Sequence, residues 1–170
     1  MRQLLVLAAV LVTGLPALAQ ESLLIGRVER ISMVPRDADA CPSACAAAGI
    51  ALKPGTVCVS NDGGCQQTTF RIERVLAGDE RAGMTTFDMR TGEWGKMYFP
   101  VTHAPILVYI DGAAGRVRWS LLAQRDGHTV FEAKPFERTT VAGVAIASLP
   151  PDSNGEIALD QLIERLPNKR

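Results

Sequence analysis

The feature that most restricts the fold of this chain is a series of short runs in which apolar and polar side chains alternate. Residues 68–76 are the clearest run, because Phe70 and Ile72 point to one side and Arg71 and Glu73 to the other. This period of two is typical of a strand buried on one face. Short turns separate the runs, and a parallel sheet needs long crossovers, so the pattern predicts an antiparallel sheet. The alternating runs cover residues 22–33, 68–76, 84–90, 116–123 and 128–132, and two shorter apolar runs, 96–99 and 105–110, predict further strands.

The end of the chain has a different period. Residues 156–166 carry leucine and isoleucine side chains three and four positions apart, and Pro167 follows, so we predict a C-terminal helix over this range. Closure of a small antiparallel sheet removes its unpaired edges. We therefore predict a mainly β fold, a small OB-like antiparallel barrel that ends in this helix. Gly26 predicts a bulge in the first strand, and Asp126-Gly127 predicts a tight turn.

The first residues predict export. Residues 1–19 begin with a positive charge, continue as an apolar run and end in Ala17-Leu18-Ala19, the small residues that a signal peptidase reads. Cleavage after Ala19 leaves Gln20 as the first mature residue. An uncleaved membrane anchor is disfavoured, because the run is short for a bilayer span and contains Pro16. We expect a periplasmic or secreted protein.

Residues 20–170 are predicted to form a single domain. The whole chain has 18 basic and 18 acidic residues, and loss of the signal removes only Arg2, which leaves 17 basic residues against 18 acidic ones. Nucleic-acid-binding proteins are usually basic, because clustered lysine and arginine displace phosphate counterions. We therefore expect no nucleic-acid partner. No later apolar run is long enough for a transmembrane helix, so we expect no integral membrane span.

Four cysteines lie in a loop-rich insertion, residues 35–66, after the first predicted strand. An even number of cysteines in an exported chain predicts two disulfides, because oxidising compartments favour them. The spacing leaves all three pairings open. We favour a nested pair, Cys41 with Cys65 and Cys45 with Cys58, which cross-links the insertion at two levels.

Zinc and redox chemistry are the alternatives for these thiols. Structural zinc sites favour close cysteine pairs with about two to four intervening residues, whereas six residues separate Cys58 from Cys65. A redox-active pair usually has two intervening residues, whereas Cys41 and Cys45 have three between them. We therefore expect no metal site and no cofactor.

Several segments resemble a known family. Residues 24–28 (LIGRV), 69–78 (TFRIERVLAG), 108–109 (VY) and 157–163 (IALDQLI) are similar in kind and order to the netrin-like domain. That group includes bacterial exported proteins similar to tissue inhibitors of metalloproteinases. The resemblance implies a five-stranded OB-type barrel with packed helices.

Two departures limit what the resemblance implies. The inhibitors of this family bind the protease zinc through the amino group and carbonyl of an N-terminal cysteine, whereas this mature chain begins at Gln20. The family also tends to carry cysteines near the third or fourth strand, and this chain has none after Cys65. We therefore transfer the fold and no functional residue.

The sequence predicts no catalytic residue. His103 and His128 are the only histidines, and both fall in predicted turns or connectors. Neither has an acidic or thiol partner at a recognised spacing, and no Gly-x-Ser-x-Gly elbow is present. A small hydrolase of the cell envelope with an unrecognised site at either histidine is the alternative function, and an accessory subunit of an envelope complex is another.

Aromatic and basic residues suggest an interaction surface instead. Trp94 lies between glycines on a predicted turn, which favours exposure. Arg71 and Arg74 are also candidates, although outward strand positions are charged in most sheets because they face water. We expect an exported, non-enzymatic binding domain whose partner is a protein or a cell-envelope component. The candidate surface comprises Trp94, Tyr98, His103, Trp119, Arg116 and Arg118.

Overall fold

The computed structural model describes most of the predicted mature domain. The predicted signal peptide, Cys45, Cys58, Trp94 and Tyr98 lie outside the described residues, and Arg116 is described by its backbone alone. The described residues are 21–35, 41, 51, 53–56, 63–91, 99–111 and 116–167.

A seven-stranded antiparallel sheet dominates the described residues, and its strand order is β3-β2-β1-β4-β5-β6-β9. The antiparallel, mainly β prediction is confirmed. Strands β3 and β9 form the two edges, and the described residues contain no pairing that closes them into a barrel. The strands are β1 Glu21–Val34, β2 Cys65–Ala77, β3 Gly83–Arg90, β4 Ile106–Asp111, β5 Arg116–Arg125, β6 His128–Glu132, β7 Thr140–Val141, β8 Val144–Ala145 and β9 Glu156–Ala158.

The C-terminal helix, α1, is shorter than the spacing predicts. It covers Leu159–Arg165, because Glu156–Ala158 form β9 and Ile157 pairs with Phe131 of β6. A single apolar residue at the start of a helical pattern, such as Ile157, fits the period of a strand as well as that of a helix. Only its pairing partner in the structure decides between strand and helix. No helix in the described ranges has the length and apolar character that a bilayer crossing requires.

The stretch between β6 and β9 was not predicted in detail. It contains two 3-10 turns, Lys134–Phe136 and Ile146–Ser148, around the small β7–β8 hairpin. Phe136 and Ile146 are buried, so these short elements act as a cover for the sheet. The predicted strand at residues 96–99 falls mostly outside the described residues, and Phe99 itself is not in a strand.

The sheet has an apolar core on each face. One face, here called the helix face, packs Leu23, Leu107 and Phe131 against α1 and the turn residue Phe136. The other face, here called the Phe70 face, carries a second apolar core, which the side chains on the opposite side of the strands form around Phe70. Because neighbours in a strand point to opposite sides, β1 and β4 supply both cores. The buried members of the Phe70 face are Leu24, Val28, Phe70, Ile72, Phe99, Ile106 and Val108.

Gly26 lets β1 and β2 approach closely. A Cβ atom there would lie 2.7 Å from the ring of Phe70, and it would also clash with the backbone carbonyl oxygen of Arg71. The register of β1 against β2 shifts between Ile25 and Gly26, as the predicted bulge requires. The absence of a side chain at Gly26 therefore allows Phe70 to pack under β1.

A buried amide attaches the segment after β3 to β2. The Gln66 side chain is fully buried, its Nε2 donates to the Phe99 carbonyl at 3.2 Å, and its Oε1 accepts from the Phe99 amide at 3.0 Å. Both backbone groups of Phe99 are thus satisfied away from water. The Phe99 ring then stacks on Phe87 of β3, with 5.7 Å between ring centroids.

The disulfide between Cys41 and Cys65 is present, as predicted. It ties the insertion to the first residue of β2, with a Cα–Cα distance of 5.6 Å. The second predicted bridge, Cys45 with Cys58, lies outside the described residues.

We expect Gly26→Ala to lower the free energy of unfolding by about 3 kcal/mol or more, because the new methyl group meets backbone as well as the Phe70 ring. Gly127→Ala is the matched control. It adds a methyl group to open space in the turn after β5, so its cost is the positive φ alone, about 1 kcal/mol. Urea unfolding of both variants measures the difference. Equal losses of unfolding free energy in the two variants would contradict the close approach of β1 and β2 at Gly26.

We expect the double variant Cys41→Ser, Cys65→Ser to lose about 3 kcal/mol of stability, because the bridge closes a loop with a sequence separation of 24 residues. Intact mass after alkylation checks the oxidation state: the mature protein should react only after reduction. Alkylation of the unreduced protein at all four thiols, or unchanged stability of the double variant, would contradict the cross-link.

Candidate binding groove

The apolar core of the Phe70 face ends within β5, at Trp119. Trp119, Leu121 and Ala123 alternate along β5, so all three project from this face. Leu121 pairs with Ile106 of β4. Ile106 is fully buried, whereas 48% of Leu121 is exposed. The sheet therefore continues past its own core as an apolar surface.

This surface forms the floor of a cleft of about 490 Å³. A second cleft of about 280 Å³ shares Arg125 and Glu156 with it, so the two are adjacent along β6 and β9. We call them together the β5–β6–β9 groove. The first cleft is lined by Trp119, Ser120, Leu121, Ala123, Arg125, Glu132, Pro135 and Glu156, and the second by Arg125, Asp126, His128, Val130, Pro150, Pro151, Asp152, Glu156, Ala158 and Gln161.

Two carboxylates face each other across the groove. Glu132 of β6 is directly paired with Glu156 of β9, so their side chains leave the sheet on the same face. Like charges at opposed positions destabilise a sheet. Arg125 is close enough for an ion pair, because its Nε lies 3.4 Å from Oε2 of Glu156. That oxygen is nevertheless buried and accepts no hydrogen bond from any described residue.

The second cleft is also acidic. The Asp152 carboxylate accepts hydrogen bonds from the backbone amides of Glu156 and Asn154, each at 2.8 Å, and these bonds hold its pKa below the usual value. Arg125 is the only lysine or arginine among the described residues that line the two clefts, whereas four carboxylates line them, those of Asp126, Glu132, Asp152 and Glu156. No set of three or more metal-ligating side chains is close enough together for a metal ion within the described ranges.

His103 lies elsewhere. Its carbonyl accepts a hydrogen bond from Nη1 of Arg27 at 2.8 Å, which fixes the connector before β4 against β1. It lines a separate cleft of about 360 Å³ with Val28 and Val101, a valine that is 77% exposed. His128 lines the β5–β6–β9 groove instead.

The predicted interaction surface is not brought together. Arg118 of β5 projects from the helix face, opposite to Trp119, and its Nη1 donates to the Pro135 carbonyl at 3.0 Å. The Arg116 backbone pairs with Asp111 at the far end of β4. Strands β1 and β4 separate Arg71 and Arg74 of β2 from β5, and Arg71 forms an ion pair with Glu29 at 2.8 Å. Of the candidates whose side chains are described, only Trp119 lines the groove.

The prediction missed Leu121, Glu132 and Glu156. Nothing in the sequence distinguishes Leu121 from a core residue of a strand, because its exposure depends on what covers this part of the sheet. Glu132 and Glu156 are 24 positions apart, and only the β6–β9 register makes them neighbours. The signal that was available is the alternation along β5, which places Leu121 on the side of Trp119.

No protein-family model, curated protein or solved structure matches this chain. The geometry of the groove therefore carries the functional inference.

Tyr109 connects Arg118 to the start of β1. Its side chain is buried on the helix face, and its hydroxyl donates to the Glu21 carboxylate. Burial, that hydrogen bond and the charges of Glu21 and Asp111 raise the pKa of Tyr109 to about 12, and Arg118 opposes the shift. The neutral phenol is therefore favoured in the folded state.

The pKa of Tyr109 in the folded state lies above the ordinary value of a tyrosine, about 10, so the neutral phenol stabilises the fold. This stabilisation is fully present below about pH 10 and is lost as the pH rises towards 12. We expect the stability of the wild type relative to Tyr109→Phe to fall by about 2 kcal/mol between pH 10 and pH 12. Urea unfolding across this range measures it. A difference that stays constant with pH would contradict the burial of a neutral phenol.

Proposed function

We propose that this protein is an exported, non-enzymatic binding domain of the periplasm or the extracellular space. It holds a protein or a cell-envelope component in the β5–β6–β9 groove. The observation that carries the proposal is the continuation of the apolar Phe70 face into the open at Leu121, beside a rim of charged residues.

An apolar floor with a polar rim is the usual anatomy of an interaction site. Trp119 packs against the core of the Phe70 face on one side and lines the groove on the other. A large aromatic side chain that is held by a core offers contact area at a small cost in side-chain entropy. Trp119 and Leu121 are therefore the proposed anchors for a ligand.

The export part of the proposal comes from residues 1–19, whose pattern is that of a cleavable signal. The disulfide between Cys41 and Cys65 is consistent with an oxidising compartment. A netrin-like relationship is also part of the proposal. It rests on the resemblance of residues 24–28, 69–78, 108–109 and 157–163 to that family.

A hydrolase is the second candidate function, because His128 shares a cleft with Asp152 and Glu156. Among the described residues, the Asp152 carboxylate accepts hydrogen bonds from Asn154 and from the Glu156 amide and none from the His128 imidazole. The described residues that line this cleft include no serine, threonine or cysteine that could act as a nucleophile. The binding role is therefore favoured over the catalytic one.

A photo-crosslinking amino acid at position 121 tests the proposal in the cells that export the protein. We expect discrete adducts of defined mass, because Leu121 lies in the floor of the groove. Position 101 is the matched control, since Val101 is an exposed apolar residue that lines a different cleft.

Adducts at position 121 that are absent at position 101 support the groove as the binding site. Equal adducts at both positions, or none at position 121, would overturn the proposal. For the hydrolase, His128→Ala is compared with the wild type on ester, peptide and glycan substrates. Activity that disappears in this variant would replace the binding role with a catalytic one.

A further inference from the structure

We infer that the groove takes an extended peptide segment in which a lysine or arginine lies two residues from an apolar residue. The apolar side chain rests on Trp119 and Leu121, and the basic side chain reaches Glu132 and Glu156. This inference rests on the proposed function and names the class of its ligand.

The first argument is the facing pair of carboxylates. Glu132 and Glu156 occupy directly opposed positions, and their mutual repulsion opposes folding. Arg125, the nearby cation, approaches Glu156 at 3.4 Å and is itself 58% exposed. One guanidinium compensates at most one of the two charges. A cation from a ligand removes the remaining repulsion.

The second argument is the buried oxygen of Glu156. Its Oε2 is shielded from water yet accepts no hydrogen bond from the described residues, and the Glu156 side chain is only 19% exposed. A buried carboxylate oxygen without a donor is costly. A ligand cation in the groove compensates the charge of this mostly buried carboxylate, although it does not contact the shielded oxygen itself.

The third argument is the spacing between the apolar and acidic parts. Glu132 follows Phe131, the partner of Leu122, so it lies beside Leu121 on the same face. Neighbouring strands are about 4.8 Å apart, which places Glu132 and Glu156 about 5 and 10 Å from Leu121. Alternate side chains of an extended peptide are about 6.6 to 6.8 Å apart and point the same way. An apolar residue and a basic residue two positions apart therefore fit this spacing.

The negative charge of the groove excludes an acidic peptide as the ligand. Four carboxylates and one guanidinium line it, so an anionic chain meets net repulsion over its whole length. Like charges that face each other across an interface repel, which disfavours acidic segments. The groove thus selects for basic character and uses its apolar floor for affinity.

The probe is a fluorescein-labelled nonapeptide with serine at the odd positions and with leucine and lysine alternating at the even ones. Fluorescence anisotropy with the mature protein measures its binding. We expect saturable binding that weakens as salt rises. A peptide with glutamate in place of lysine should not bind, and one with serine in place of leucine should bind at least tenfold more weakly.

Variants of the protein locate the contact. We expect Glu132→Gln to weaken binding about fivefold and Glu156→Gln about tenfold, because the first carboxylate is exposed and the second is mostly buried. Glu164→Gln is the matched control: it makes the same charge change on the exposed side of α1 and should leave binding unchanged. Leu121→Ser should weaken binding about fivefold, and Val101→Ser should not.

Thermal unfolding separates a binding role from a structural one. Without peptide, we expect Glu132→Gln to be at least as stable as the wild type, because it removes the like-charge pair. A Glu132→Gln variant that unfolds at a lower temperature would contradict the repulsion and with it the inference.

Three further results would overturn the inference: no binding of the lysine peptide, equal binding of the glutamate peptide, or equal weakening by Glu164→Gln. If the lysine peptide fails while crosslinking at position 121 still captures a partner, the ligand class is wrong and the proposed function stands. If both experiments fail, the groove is not a binding site.

Discussion

The double pairing of β1 is the constraint on which the rest of the structure depends. This 14-residue strand pairs with β2 on one side and with β4 on the other, so it joins the two halves of the sheet. Its alternating residues also feed both apolar cores. The close approach at Gly26 sets how tightly β2 lies against it, because the Phe70 ring fills the space that a side chain would need.

The groove is a consequence of how the sheet is covered. On the helix face, α1 and the two 3-10 turns bury the side chains of β4, β6 and β9. On the Phe70 face, the buried Gln66 amide holds Phe99 over β2, and this core reaches only as far as Trp119. The sheet is thus wider than the cover on its Phe70 face within the described ranges. The uncovered part carries Leu121 and, beside it, the acidic residues of β6 and β9.

Much of the fold was predictable from the residues, because strand periodicity is a local property. The alternation in residues 68–76 predicted β2, Asp126-Gly127 predicted the β5–β6 turn, and Gly26 predicted the bulge. The prediction was wrong at Ile157, because a single apolar residue there fits the period of a helix as well as that of a strand. The candidate surface was predicted less well. Its arginines and aromatics lie on different strands, and residue type alone does not tell which strands are neighbours or which face a side chain shares.

The sequence by itself determined the antiparallel β class, the C-terminal helix and the near-neutral charge. It left the pairing of the four cysteines open among three possibilities, and the structure shows the linkage of Cys41 with Cys65. The three properties that the sequence determined are local or compositional. Each follows from composition or from spacing along one short segment. Only the tertiary structure decided that Leu121 is exposed and that Glu132 faces Glu156. The physical reason is that burial and opposition of charges depend on which distant segments pair, and in which register, and local patterns do not encode that register uniquely.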